Sequence, residues 1–146
     1  MAERSYSITT TGLSTYLATV IKNNGNGLYF AIGIGNSSWD DGDLPNPPSS
    51  IDKLVNESYR VQVDMSKIVY VNPSSYTTVV EEPTSTIRIE VNINKSEYPG
   101  VLREYGLFGV NATSEPNSGT LIQYADFDKR EVPSDAGLKF WIYLSL

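Results

Sequence analysis

Cysteine and histidine are both missing from this 146-residue sequence, and much of the common catalytic and metal-binding inventory goes with them. Disulfides, thiolate nucleophiles, structural zinc sites and imidazole bases cannot be built from the residues present. Basic charge is scarce as well: 11 Lys and Arg face 17 Asp and Glu, a net charge of −6 with no basic cluster. A phosphate backbone would meet no attraction here, so nucleic acid is not an expected partner. Long apolar runs are lacking too. No stretch approaches the roughly 18 apolar residues of a membrane span, and the opening MAERSYSITTTG has no basic region followed by an apolar one. The expectation is a soluble chain made in a cytosol, with no membrane partner and no cofactor. Four sequons, at Asn36, Asn56, Asn94 and Asn111, are read as products of a composition rich in Asn, Ser and Thr.

What is present points to a folded, β-rich chain. Hydrophobic residues make up 40% and charged residues 19%, with ten tyrosines, which is not the balance of a disordered protein. A chain of this length fits one domain, residues 1–146, and buries roughly 70% of the surface its unfolded form exposes.

Leu13, Tyr16, Leu17, Val20 and Ile21 fall at i, i+3, i+4, i+7 and i+8, with threonines ahead and NNGNG behind. That spacing predicts an amphipathic helix over 12–23 whose stripe packs into the core. Leu28–Gly35 reads as a buried strand, with Gly33 and Gly35 marking a bulge or a close backbone approach. Prolines over 44–48 forbid a regular helix or central strand there. Ser49 and Asp52 then resemble a capping box, and Ile51, Leu54 and Val55 predict a second, short helix.

From Tyr59 the period changes to two. Val61, Val63 and Met65 alternate with polar residues, as do Ile87, Ile89, Val91 and Ile93, the pattern of strands with one wet face. Further strands are predicted over 66–71, 77–80, 101–110, 120–127 and 138–144, separated by turn-forming segments such as Glu115–Gly119 and Pro133–Gly137. The fold class that follows is mainly β: an antiparallel sandwich or barrel-like sheet with one packed N-terminal helix and a second short one.

Three chemical readings of the stretch after β-like LYFAIGIG can be weighed. Gly33-Ile-Gly35 lacks the following helix N-terminus that a dinucleotide cradle needs, and Asp40, Asp41 and Asp43 would repel a phosphate. The same acids could ligate calcium, but their spacing fails the EF-hand pattern, and acidic turn residues explain them more simply; whether a cation sits at Asp40–Asp43 stays open. Glu57, Glu81, Glu82, Glu104, Asp126 and Asp128 form a pool from which a carboxylate glycosidase could draw a pair, although sequence places none of them face to face. The reading taken is not an enzyme, with no catalytic and no metal-binding residues. On the last strand, Trp141 and Tyr143 alternate with Phe140, Ile142 and Leu144, so one set is free to serve as an interface or as a sugar-stacking surface.

Five short motifs, in order, carry a resemblance. They are Ala31-Ile32-Gly33-Ile34-Gly35, the acidic and proline-rich Trp39–Pro48, Leu54-Val55-Asn56-Glu57-Ser58-Tyr59-Arg60, Leu102-Arg103-Glu104-Tyr105-Gly106-Leu107-Phe108, and Gly119–Ala125. Over residues 12–127 this order resembles the N-terminal domain of phage tail-collar fibre proteins and P2-like tail fibres or baseplate adaptors of contractile-tailed phages.

The resemblance implies a structural virion protein of the tail, assembled in the host cytoplasm, that docks at the baseplate and carries or connects a host-attachment fibre. Implied partners are other tail, baseplate or fibre proteins and further copies of the chain, a trimer being favoured. Such fibres usually continue into a shaft, whereas this sequence stops at Leu146 after its last strand, which fits a free-standing adaptor or a fragment of a longer fibre. Within this frame Arg60 or Arg103 is expected to pair with Glu104 or Glu57 to fix the base of the acidic loop. Trp39, Trp141 and Tyr143 are the expected interface residues. The alternative is a carbohydrate-binding module that uses surface aromatics to hold a receptor sugar.

Overall fold

A computed structural model describes residues 4–98 and 100–146. One α-helix, α1 (Gly12–Asn23), precedes eight strands: β1 (Tyr29–Gly33), β2 (Glu57–Gln62), β3 (Ile68–Asn72), β4 (Ser75–Val80), β5 (Thr86–Ile93), β6 (Gly100–Gly109), β7 (Thr120–Val132) and β8 (Leu138–Ser145). They form two antiparallel four-stranded sheets, ordered β2-β1-β6-β7 and β4-β3-β5-β8. The fold is therefore mainly β, as composition and periodicity indicate.

The alternation along each strand sets the inner faces. Phe30 and Ile32 of β1, Ile87 and Ile89 of β5, Leu102 and Leu107 of β6, and Ile142 and Leu144 of β8 meet in one buried cluster between the sheets. At its centre the rings of Phe30, Tyr105 and Phe140 lie 4.8 to 5.9 Å apart. Burying each such side chain contributes about 1.5–3 kcal/mol, which is why register is fixed so firmly: a one-residue slip would turn the whole set to water. The long edge strands of the two sheets also meet, since the Gln123 side-chain amide of β7 donates to the Tyr143 carbonyl of β8 at 3.2 Å.

A second, smaller cluster lies on the opposite face of the first sheet. Ala31, Leu54 and Phe108 are buried there, with Ala112, Leu121 and Tyr124 packed against them. Its cover is made by the two long connections, residues 34–56 and 110–119, which fold back over the sheet.

Two sequence expectations are corrected. No second helix forms over 49–56; the segment is irregular, because the Val55 and Asn56 amides donate to the Glu104 carboxylate rather than to a helical ladder. The helix α1 exists as expected, but its apolar stripe does not face the core. Ala18 is the residue it buries, Thr19 hydrogen-bonds the Tyr70 hydroxyl at 2.8 Å, and of the stripe only Ile21 packs on the central cluster. Ala18 sits about 100° round the helix from Leu17. Its small side chain lets the backbone approach the sheet, and that rotation leaves Leu13, Tyr16, Leu17 and Val20 outside.

Candidate functional site

The densest arrangement of ionisable groups lies on the outer face of the first sheet, where β6 presents Glu104 among apolar neighbours. Glu104 is 0% exposed. One carboxylate oxygen accepts from the Val55 amide and the Tyr124 hydroxyl, each at 2.8 Å; the other accepts from the Asn56 amide at 2.8 Å and the Gly35 amide at 3.1 Å. A carboxylate offers about four lone-pair sites, so these donors occupy them. A proximate carboxylate in turn pushes the Tyr124 hydroxyl upward, after the larger effect of burial.

Local sequence makes this cradle possible. β1 shifts register between Ile32 and Gly33, and Gly33 lies directly beneath the Glu104 carboxylate, where an added Cβ would also meet the Asn56 carbonyl at 2.5 Å. Gly35 takes φ +59, the left-handed region that favours glycine, which turns its amide toward the carboxylate.

Flanking Glu104 are two arginine forks. Arg103 donates through Nε and Nη2 to the two oxygens of Asp40 at 3.0 and 2.7 Å, and through Nη1 to the Ile34 carbonyl at 2.8 Å. The guanidinium hydrogen bonds hold the Asp40 carboxyl below its ordinary range and raise Arg103 reciprocally. Arg60 donates to both oxygens of Glu57 at 2.8 and 2.9 Å. Its remaining nitrogen reaches the Thr113 and Ser118 carbonyls at 3.0 Å and the Ser118 hydroxyl at 2.9 Å. The guanidinium plane rests 4.3 Å from the Phe108 ring centre, and the Asn117 amide adds a bond to Glu57.

Of the expected pairings of Arg60 or Arg103 with Glu104 or Glu57, Arg60 with Glu57 is present, and those of Arg103 are corrected: adjacent residues on β6 take different partners. Arg103 reaches across to Asp40, and Glu104 is satisfied by amides and a hydroxyl, which donate without carrying a charge. Asp40, one of the acids considered for calcium, is engaged by arginine, and among the described residues no three acidic side chains converge on a common point. Trp39 is half-buried and lies over Gly35, next to the Arg103 side chain. It closes the 34–56 loop onto the sheet instead of presenting its ring outward. Tyr124 and Ser118 were invisible as members of this network in the sequence; the paired glycines at 33 and 35 were the one signal of a close approach.

Of the carboxylate pool, Glu104 and Asp126 alone stand opposite each other in a ladder. Burial, with the Glu104 charge adding to it, pushes the Asp126 carboxyl above its usual range, and Asp126 Oδ2 is enclosed without a hydrogen-bond partner. Attack on a sugar carbon, or abstraction of a proton from water, requires a free carboxylate lone pair facing open space. Glu104 has neither while the loop is docked.

The outer face of the second sheet is different in kind. Trp141 is 50% exposed; its indole nitrogen donates to Glu90 at 3.0 Å and the Arg88 guanidinium stacks 4.3 Å from its ring centre. Hydrogen bonds from Asn92 and Trp141 hold the Glu90 carboxyl down at about 2. Tyr143 is half-buried and stacks on Tyr76 at 5.1 Å. No protein-family model matches the chain, and no curated protein matches it either.

Proposed function

We propose that this chain is a non-enzymatic structural component that works by presenting rigid surfaces to neighbouring proteins. In the terms of the tail-collar resemblance it is a baseplate or fibre-attachment protein of a phage contractile tail, assembled in the host cytoplasm as a homo-oligomer. The observation that carries the reading is the use made of buried charge. Glu104, Arg60 and Arg103 are committed to pinning two long loops, 34–56 and 110–119, onto one sheet face. Loops held in this way form a fixed relief instead of a mobile lid, and a fixed relief is what a docking part needs, because ordering a loop at the moment of contact costs affinity. The motifs behind the resemblance coincide with these pins: Gly33 and Gly35, Asn56 to Arg60, and Arg103-Glu104.

The test is binding of the purified chain to baseplate and fibre proteins of a contractile-tailed phage, by co-sedimentation and pull-down. Retention on a tail protein supports the reading; no retention on any of them counts against it. The second reading, a sugar-binding module, draws on the half-exposed Trp141 beside Tyr143 and Tyr76. Against it, Arg88 already covers one face of the indole and Glu90 its polar edge. Titration of tryptophan fluorescence with host-surface glycans separates the two, since an adaptor gives no saturable change.

A further inference from the structure

On α1 the unusual feature is an apolar stripe pointed at solvent: Leu13 is 46% exposed, Tyr16 67%, Leu17 42% and Val20 39%. The stripe runs into a cleft of about 320 Å³ lined by Val20, Ile21, Leu28, Val110 and Ile122, where Val110 is 70% and Ile122 40% exposed. Together the six exposed side chains present on the order of 600 Å² of largely apolar surface, at the upper limit of what a monomer usually shows. A standard interface buries about 800 Å² per partner, somewhat over half of it apolar, so this patch alone supplies the apolar share that a stable association needs.

Charge identifies the occupant. The chain carries 17 acids, yet none lies between Glu3 and Asp40, and the segments 105–114 and 116–125 that wall the cleft hold no charged residue. Lys22 is the one charged residue of α1, half-buried with its ammonium 5.4 Å from the Tyr70 ring centre, so a charged partner would gain little there. Two molecules of net charge −6 repel one another over most orientations and least when these acid-free patches face. We infer that α1 and its cleft form the seam at which copies of this chain associate, the Tyr16 ring of one entering the Val20–Val110–Ile122 cleft of the next. Such a contact closes around a symmetry axis running beside the helices, reciprocally in a dimer or head-to-tail in a ring of three. This inference rests on the proposed structural role and specifies where its self-association takes place.

Sedimentation velocity with light scattering tests it on the full chain. Wild type is expected at two or three times 16.1 kDa, and Leu17→Lys or Tyr16→Lys to raise the dissociation constant on the order of 100-fold with an unchanged circular dichroism spectrum. Trp141→Lys, on the other exposed aromatic face, is expected to keep the oligomer. A wild-type mass of one chain at all concentrations overturns the inference, as does an oligomer that survives both helix variants or is dissociated by Trp141→Lys alone. If the wild type is a monomer but still binds tail proteins, the seam is wrong and the structural role stands. If it is an oligomer lost in Leu17→Lys but binds no tail protein, the seam stands and the tail role fails.

Discussion

The outer faces of the two sheets use the same residue types to opposite ends. On the β2-β1-β6-β7 sheet, arginine, carboxylate and aromatic groups are buried under loops: Glu104 is 0% exposed and the Arg60–Glu57 side chains 3% and 2%. On the β4-β3-β5-β8 sheet, Arg88 and Glu90 both meet the half-exposed Trp141, one on its ring and one on its indole nitrogen, at a partly solvated position where Glu90 also lies within 4.0 Å of Lys67 and Lys139. The lesson is that identity of partners says little about weight. A surface ion pair is worth about 0–1 kcal/mol, because water solvates the groups nearly as well when it breaks. A buried one leaves an uncompensated charge when a partner is removed, at a cost of about 3–5 kcal/mol.

That contrast is tested most strongly at Glu104. Replacement by Gln turns an NH2 toward at least one amide donor in either orientation and is expected to cost about 3–4 kcal/mol, lowering the thermal midpoint by roughly 10 °C. Next comes Arg60→Lys, which keeps the charge but loses the fork and the stack on Phe108; a loss of about 2 kcal/mol by chemical denaturation is expected. On the exposed sheet, Trp141→Ala is expected to cost less than about 1 kcal/mol despite removing both a stack and a hydrogen bond. A Trp141 penalty equal to that of Glu104→Gln would erase the distinction between the faces.

The smallest effect has the opposite sign. Because burial raises the Asp126 carboxyl in the folded state, the ionised form opposes folding above that raised value, and the opposition fades as pH falls through it toward the ordinary aspartate range. Asp126→Asn should therefore raise the midpoint by about 2 °C at pH 7, with the gain shrinking on acidification. A gain that grows in acid would show that Asp126 is stabilised by ionisation instead.

Sequence patterning located all eight strands, since alternation of large apolar residues encodes burial directly. It extended poorly to β7, placed over 120–127 but running to Val132, where Asp128, Lys129, Arg130 and Glu131 break the apolar alternation. Two failures share one cause. The stripe on α1 and the capping-box pattern at Ser49 are local signals, and each was overridden by a long-range contact: Ala18 docking on the sheet, and Glu104 capturing the Val55 and Asn56 amides 49 and 48 residues away. The candidate site was legible only as a set of charged residues near glycines. Which acid meets which base goes with a register shift between β6 and β7, where residue 103 of β6 stands opposite residues 127–129 of β7, and no spacing rule announces it.

Glu104 fixes the loops, and amide hydrogen exchange reads that directly. The amides of Gly35, Val55 and Asn56, all outside regular strands, are predicted to be protected to the level of the β1 and β6 core and to lose that protection in Glu104→Gln while the inner strands keep theirs. Exchange of these three amides at the rate of an open loop in the wild-type protein would contradict it.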